Sequence, residues 1–230
     1  MKNQAIPRRN FIRTSTAAVA GLTIIPSHVM GKPLGHVAPS DKLNIAGVGV
    51  GGKGRVNLKA MNSENIVALC DVDWKYAKDC FNDYPDAKKY LDWRNMFEEM
   101  GKDIDAVMIA TSDHTHAAIA ATAIKMGKHV YCQKPLTHSV YESRLLTRLA
   151  REYKVATQMG NQGNSSPEAR TVEEWIWAGE IGKVTEVHAW TNRPIWPQGM
   201  ERPKERMTEP LTMNWDLFIG PAPWRPYHEI

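Results

Sequence analysis

The sequence predicts an α/β fold, a doubly wound parallel sheet of Rossmann-like layout. Three features lead there. Short apolar runs end in polar loops, helical patterns separate those runs, and the first run ends in a cluster of glycines. Bulk composition agrees. Hydrophobic residues make up 43% and charged residues 23% of the 230 residues, which is ordinary for a globular chain.

The elements follow in order. Residues 43–54 read LNIAGVGVGGKG, in which Leu43, Ile45 and Val48 mark a buried strand. Gly49, Gly51 and Gly54 form G-x-G-x-x-G, with Gly52 inside the loop and Gly47 offering an overlapping register. The first glycine permits the tight turn. The second allows backbone to approach a pyrophosphate, and the third lets helix pack on strand. A helix over about 54–61 then points its N-terminus at the phosphates. A second run, IVALC (66–70), ends at Asp71, 22 residues after Gly49. An acid at that offset accepts hydrogen bonds from an adenosine ribose and repels a 2′-phosphate, so NAD is favoured over NADP. Alternatively, Asp71 or Asp73 simply starts the next turn, and Trp74 is placed to cover an adenine face.

DWRNMFEEMG (92–101) predicts a helix with Asp92 as N-cap and Gly101 as stop. DAVMIA (105–110) is a buried strand, and HTHAAIAATAIKMG (114–127) is an alanine-rich helix. HVYC (129–132) is the next strand. Ser139 and Glu142 then fit a capping box, ahead of a stripe of Leu145, Leu146, Leu149 and Tyr153. VATQM (155–159) is a further strand.

Ligands of such sheets bind beyond the carboxyl ends of the strands. The polar segments TSDHTH (111–116), QKPLTH (133–138) and MGNQGN (159–164) follow strands there. Lys134 can donate to a substrate oxygen, or can be an ordinary surface lysine; Pro135 restrains it. His114, His129 and His138 read as structural or solvent-facing. No motif promotes His188 or His228.

Together, GVGGKG, Asp71, ATSDHTHAAIA, GKHVYCQKPLTHSVYE and MGNQGNS resemble the Gfo/Idh/MocA family, the glucose–fructose oxidoreductase and inositol dehydrogenase group. The resemblance spans residues 43 to about 225, and GKHVYCQKP is its most specific part. It implies an NAD-dependent oxidoreductase acting on a sugar or polyol. It implies that Lys134 contacts the reacting hydroxyl. It also implies that Thr111, Ser112 and His116 approach the nicotinamide side, and that Asn161 lies near cofactor or substrate. The family glutamate before the lysine is Gln133 here. That amide can hydrogen-bond the nicotinamide ribose but cannot act as a carboxylate base.

Ser166 and Pro167 predict the start of a helix that runs to Gly179. Trp175 and Trp177 cannot both face a core, so one is expected at an interface. VTEVHAW (184–190) alternates as a strand, and the Pro- and Trp-rich residues beyond it show no period. One strand cannot make a sheet domain. The expected organisation is therefore a dinucleotide-binding domain at 41–162 and a partial substrate or oligomerisation domain at 163–230, the start of an α+β unit with an open antiparallel sheet. The chain is expected to be a fragment. The resemblance places a histidine general base beyond Ile230 and implies a homo-oligomer at full length.

Residues 1–40 differ in character. They hold five basic residues and no acid, so the other 190 carry 24 basic and 25 acidic side chains. The net charge of +4 thus belongs to the N-terminus and gives no support to nucleic-acid binding. Arg8–Arg9, Phe11 and Arg13 precede an apolar run of about ten residues, where a membrane span needs about twenty. This resembles a twin-arginine export signal, with an ordinary secretory signal as the alternative. The expected address is the periplasm, with no stable membrane anchor. Such export carries folded proteins, so NAD would leave with the chain as a fixed group. A redox-neutral glycosidase or lyase that oxidises its sugar transiently then becomes the alternative to a dehydrogenase. A non-catalytic sugar-binding protein is the third possibility. Cys70, Cys80 and Cys132 read as small buried thiols, and no metal site is expected.

Overall fold

A computed structural model describes residues 41–193 and 199–229; the segment expected to be an export signal lies outside them. The strands are β1 (Asn44–Val48), β2 (Asn65–Cys70), β3 (Lys88–Tyr90), β4 (Ala106–Ile109), β5 (His129–Gln133) and β6 (Thr157–Gly160). They form one sheet in the order β3-β2-β1-β4-β5-β6, and every pairing is parallel. The helices are α1 (Lys53–Lys59), α2 (Trp74–Asp83), α3 (Trp93–Met100), α4 (His116–Lys125), α5 (Val140–Tyr153), α6 (Pro167–Ala178) and α7 (Trp215–Ile219).

Strand alternation sends side chains to two cores. Ile45, Leu69 and Met108 point to one face, where Leu58 of α1 and Ala77, Cys80 and Phe81 of α2 cover them. Ala46, Val48, Ala68, Cys70, Val107 and Ile109 point to the other. There Met96 and Phe97 of α3, Ile119 and Ile124 of α4, and Leu146 and Leu149 of α5 cover them. A sheet buried on both faces needs runs that are apolar at consecutive positions, and the strands have them.

Local chemistry sets the helix ends. Asp73 accepts from the backbone N–H of Lys75 and Tyr76 and so caps α2. Asp92 caps α3, and Ser139 with Glu142 completes the capping box of α5. Ser166 caps α6, Pro167 occupies its first position, and Gly179 ends it in the left-handed conformation at φ 79°.

Four expectations need correction. α2 and β3 lie where no element was expected. β3 is three residues at the sheet edge, Lys88, Lys89 and Tyr90, too short and too charged to register as a strand. Residues 184–190 form no strand, and all are exposed. Among the described residues they have no partner strand, and an unpaired alternating segment has no ladder to hold it. Neither Trp175 nor Trp177 enters the core; both are exposed, and α6 buries no residue. The strand expected at 155–159 begins two residues later, at Thr157.

Candidate cofactor site

β1 lies between β2 and β4, so consecutive connections leave its two sides in opposite directions. A crevice opens at the carboxyl ends of such strands. Here it is a cavity of about 280 Å3. One side is lined by Gly49, Gly51 and Asp71, and another by Thr111, Ser112 and Thr115.

The glycine loop is close-packed. Gly49 has φ 76°, and a Cβ there would sit 2.5 Å from the Thr111 nitrogen. Its own N–H donates to the Cys70 carbonyl at 2.9 Å. A Cβ on Gly54 would overlap the Gly49 carbonyl oxygen. Gly54 is buried in the first turn of α1, and Gly52 stands at its N-cap; neither lines the cavity. No side chain caps α1, and its first turn carries no acid, so nothing there opposes an approaching anion.

Asp71 is 8% exposed. Its Oδ2 accepts from the Gly51 N–H at 3.0 Å, and its Oδ1 from the Asp73 N–H at 2.9 Å. Burial raises its pKa above the ordinary value, and these backbone donors only partly offset that. The carboxylate keeps unused acceptor capacity toward the cavity. Asp73 caps the following helix, while Asp71 both accepts from the Asp73 N–H in the turn and lines the cleft. Trp74 packs edge-on against Phe81 and does not line the cavity; Tyr76, two residues on, lies against Gly51 and does. Together these features fit a dinucleotide: a cradle that a Cβ would fill, a buried carboxylate in the cavity wall, and a helix start without an acid.

The remaining residues divide into two groups. Thr111 and Ser112 line the cavity, and the Thr115 hydroxyl lies 2.7 Å from Thr111 Oγ1. His116 does not line it. Its ring is fully buried, with Nδ1 2.8 Å from the Pro135 carbonyl oxygen and Nε2 3.1 Å from the Thr111 carbonyl oxygen. It therefore ties the β4 loop to the β5 loop, a positioning role rather than a contact with the cleft. Gln133 and Lys134 lie at the end of β5, and Asn161 at the end of β6 beyond it. Gln133 pairs in register with Gly160 and is 7% exposed. Its Oε1 accepts from Gln162 Nε2 at 2.9 Å, and the same amide lies 2.8 Å from the Tyr131 hydroxyl. Lys134 is exposed, and its bond to Pro135 is cis. Asn161 is exposed beside it. Three residues on the sheet side escaped the sequence: Trp93 and Tyr76 in the cavity wall, and Gln162 behind Gln133. Trp93 follows the N-cap Asp92 and was legible only as a helix residue.

Residues 43–161 match the Gfo/Idh/MocA oxidoreductases with an NAD-binding Rossmann fold. The chain belongs to that family. Inositol 2-dehydrogenase of Salmonella typhimurium is 28% identical over 151 residues, covering 64% of this chain and 44% of its own. Levoglucosan dehydrogenase of Pseudarthrobacter phenanthrenivorans is 30% identical over 111 residues, covering 46% and 28%. An NAD-binding oxidoreductase from Klebsiella pneumoniae superposes with a TM-score of 0.52 at 29% identity, over 61% of this chain and 40% of that one. The chain thus spans less than half the length of these relatives. The fold and the NAD-binding character of the family belong to the part that matches. Among the described residues, no helix is long and apolar enough to cross a membrane, and no cluster of three or more His, Cys, Asp or Glu could hold a metal.

Proposed function

We propose that this protein is an NAD-dependent oxidoreductase that acts on a sugar or polyol hydroxyl. The observation that carries the proposal is Asp71, buried at the end of β2 beside a glycine cradle, in a family of NAD-binding oxidoreductases. A 2′-phosphate would meet that carboxylate, and no arginine lines the cavity to receive it, so NAD is preferred over NADP. Bound NAD supplies a hydride acceptor. Lys134 would hydrogen-bond the substrate oxygen and stabilise the charge that develops there as the hydroxyl proton passes to water at this exposed edge and the carbinol hydride to NAD. Gln133, held by Gln162, orients neighbouring groups by hydrogen bonding and takes no proton. Asn161 adds a polar contact at the same edge. The named relatives act on inositols and levoglucosan, which supports a polyol or sugar substrate. The decisive assay follows NADH absorbance while inositols and sugars are added to protein with NAD. NADH formation in unaltered protein and its loss in Lys134→Ala is the expected result. Equal rates in both would overturn the role of Lys134.

Export is part of the proposal. Arg8–Arg9 and the short apolar run direct the folded protein to the periplasm, with residues 41–162 as the cofactor domain and 163–230 contributing to a substrate or oligomerisation domain. Changing both arginines to lysine should leave the protein in the cytoplasmic fraction. A homo-oligomer is proposed for the full-length protein, to be measured by light scattering.

A redox-neutral glycosidase or lyase is the second reading. Gln133 in place of glutamate and the twin arginines favour it, because an exported enzyme meets little free NAD. Release of aglycone from aryl glycosides without net NADH would establish it. Steady NADH formation with exchangeable NAD would exclude it.

A further inference from the structure

The cavity has a wall that comes from far along the chain. Met213, Leu217 and Phe218 line it together with Asp71 and Thr111. More than one hundred residues separate them from the loops they face. Backbone hydrogen bonds fix this segment to the loop after β2. Trp74 N–H donates to the Thr212 carbonyl at 2.9 Å, and Asn214 N–H donates to the Val72 carbonyl at 2.8 Å. Asp73 and Met213 form an antiparallel bridge between those bonds. A third anchor reaches the loop after β4, where His114 Nε2 lies 3.0 Å from the Phe218 carbonyl oxygen. The segment is thus tied to both lips of the cleft.

It is also ordered on its own account. Trp215 is 6% exposed and stacks on Phe218, with ring centroids 5.2 Å apart. Its indole N–H donates to the Arg225 carbonyl at 2.7 Å, and Tyr227 meets the same ring edge-on. Asn214 Oδ1 accepts from the Leu217 N–H and caps α7. A Cβ on Gly220 would lie 3.2 Å from Thr115 Cγ2, so the segment seats closely on the β4 loop.

We propose that Thr212–Phe218 is a strap that forms the outer wall of the adenosine end of the cofactor site and holds the cofactor in place. It rests on the assignment of this cleft to NAD. The polar side, with Asp71, suits the adenosine ribose. Leu217 and Phe218, with Trp93 and Ile119, suit the flat base and exclude water from it. A strap bonded to both lips must undock before the adenosine end leaves outward. Retention therefore comes from slow dissociation more than from fast association.

The test uses the full chain and NADH. Stopped-flow chase with excess NAD+ gives the dissociation rate, followed by nicotinamide fluorescence. Phe218→Ala removes wall area, and His114→Ala removes an anchor without removing wall. Each should speed dissociation at least tenfold and change association less than threefold. Hydrogen exchange on the unaltered protein gives a second measure that needs no variant: NAD should slow exchange at 212–218 and at Trp74. If unaltered protein binds NADH but both variants release it within twofold of its rate, the strap is wrong and the cofactor assignment stands. Equal exchange at 212–218 with and without NAD overturns the strap in the same way. If unaltered protein binds neither NAD+ nor NADH, the assignment of the cleft falls, and the strap with it.

Discussion

The two halves of the sheet's carboxyl edge are built differently. At the β2 end, Asp71 is buried, both its oxygens are engaged by backbone donors, and a distant segment walls the cavity. At the β5 and β6 end, Lys134 and Asn161 are exposed, and only Gln133 is held, through Gln162. In the proposed function, the contrast separates holding from reacting. The first task needs rigid, desolvated contacts fixed before the ligand arrives. The second needs a group free to meet a substrate, and an exposed ammonium is such a group.

The difference can be broken from either end. The largest effect is expected at the open one. Lys134→Ala should lower turnover by about 10²–10³, the usual scale for losing one donor to developing charge. NAD affinity should stay within twofold and the melting temperature within a degree, since Lys134 is exposed. A large loss of NAD binding would mean that Lys134 belongs to the holding end. Next comes Gly49→Ala. A side chain at φ 76° against the Thr111 nitrogen should cost about 3 kcal/mol of stability and abolish NAD binding. Urea unfolding and a NAD titration would measure both.

Asp71→Ser should weaken NAD about 10–100-fold, the worth of hydrogen bonds to a charged group. It should narrow the preference over NADP, because the charge facing a 2′-phosphate is gone. Unchanged selectivity would show that another group sets it. His116→Phe removes the ring nitrogens that face the Pro135 and Thr111 carbonyl oxygens, one of them as a donor, and should cost about 1–3 kcal/mol. If His116 only positions the two loops, kcat should fall while NAD affinity changes little.

The smallest effect lies behind the glycine loop. Arg55 on α1 bonds Asp79 and Asp83 on α2, and Lys59 also reaches Asp83. The hydrogen bond from Arg55 lowers the Asp83 pKa to about 2. A depressed folded-state value stabilises above the ordinary carboxylate range and loses that contribution as pH falls from near 4 to near 2. Asp83→Asn should therefore reduce melting temperature slightly at neutral pH, with the difference from unaltered protein vanishing toward pH 2. Both carboxylates are partly solvated, so the shift should be small.

Much of the holding end was legible because its signals are local. Gly49 and Gly54 declare a turn and a close approach, and Asp71 follows an apolar strand at the expected distance. Asp92, the Ser139–Glu142 pair and Ser166–Pro167 announced their helices through capping, which acts over three or four residues. His116 is the contrary case. The resemblance points it toward the nicotinamide side, and only the packed loops show that both ring nitrogens face backbone carbonyls. β3 and α2 were missed where charge and short length masked the apolar minority. Residues 184–190 alternate like a strand, but alternation describes a surface, and a ladder requires a partner.

The pattern of apolar runs, glycines and caps thus determined the sheet class, the cradle and the acid beside it, because each depends on neighbours in sequence. Tertiary structure alone decided that His116 turns inward, that Gln162 holds Gln133, and that Met213, Leu217 and Phe218 reach back to the cleft. Apart from His116 with Thr111, those contacts join residues separated by nineteen positions to more than a hundred. No periodicity encodes such distances; they arise when two independently stable pieces of surface fit each other.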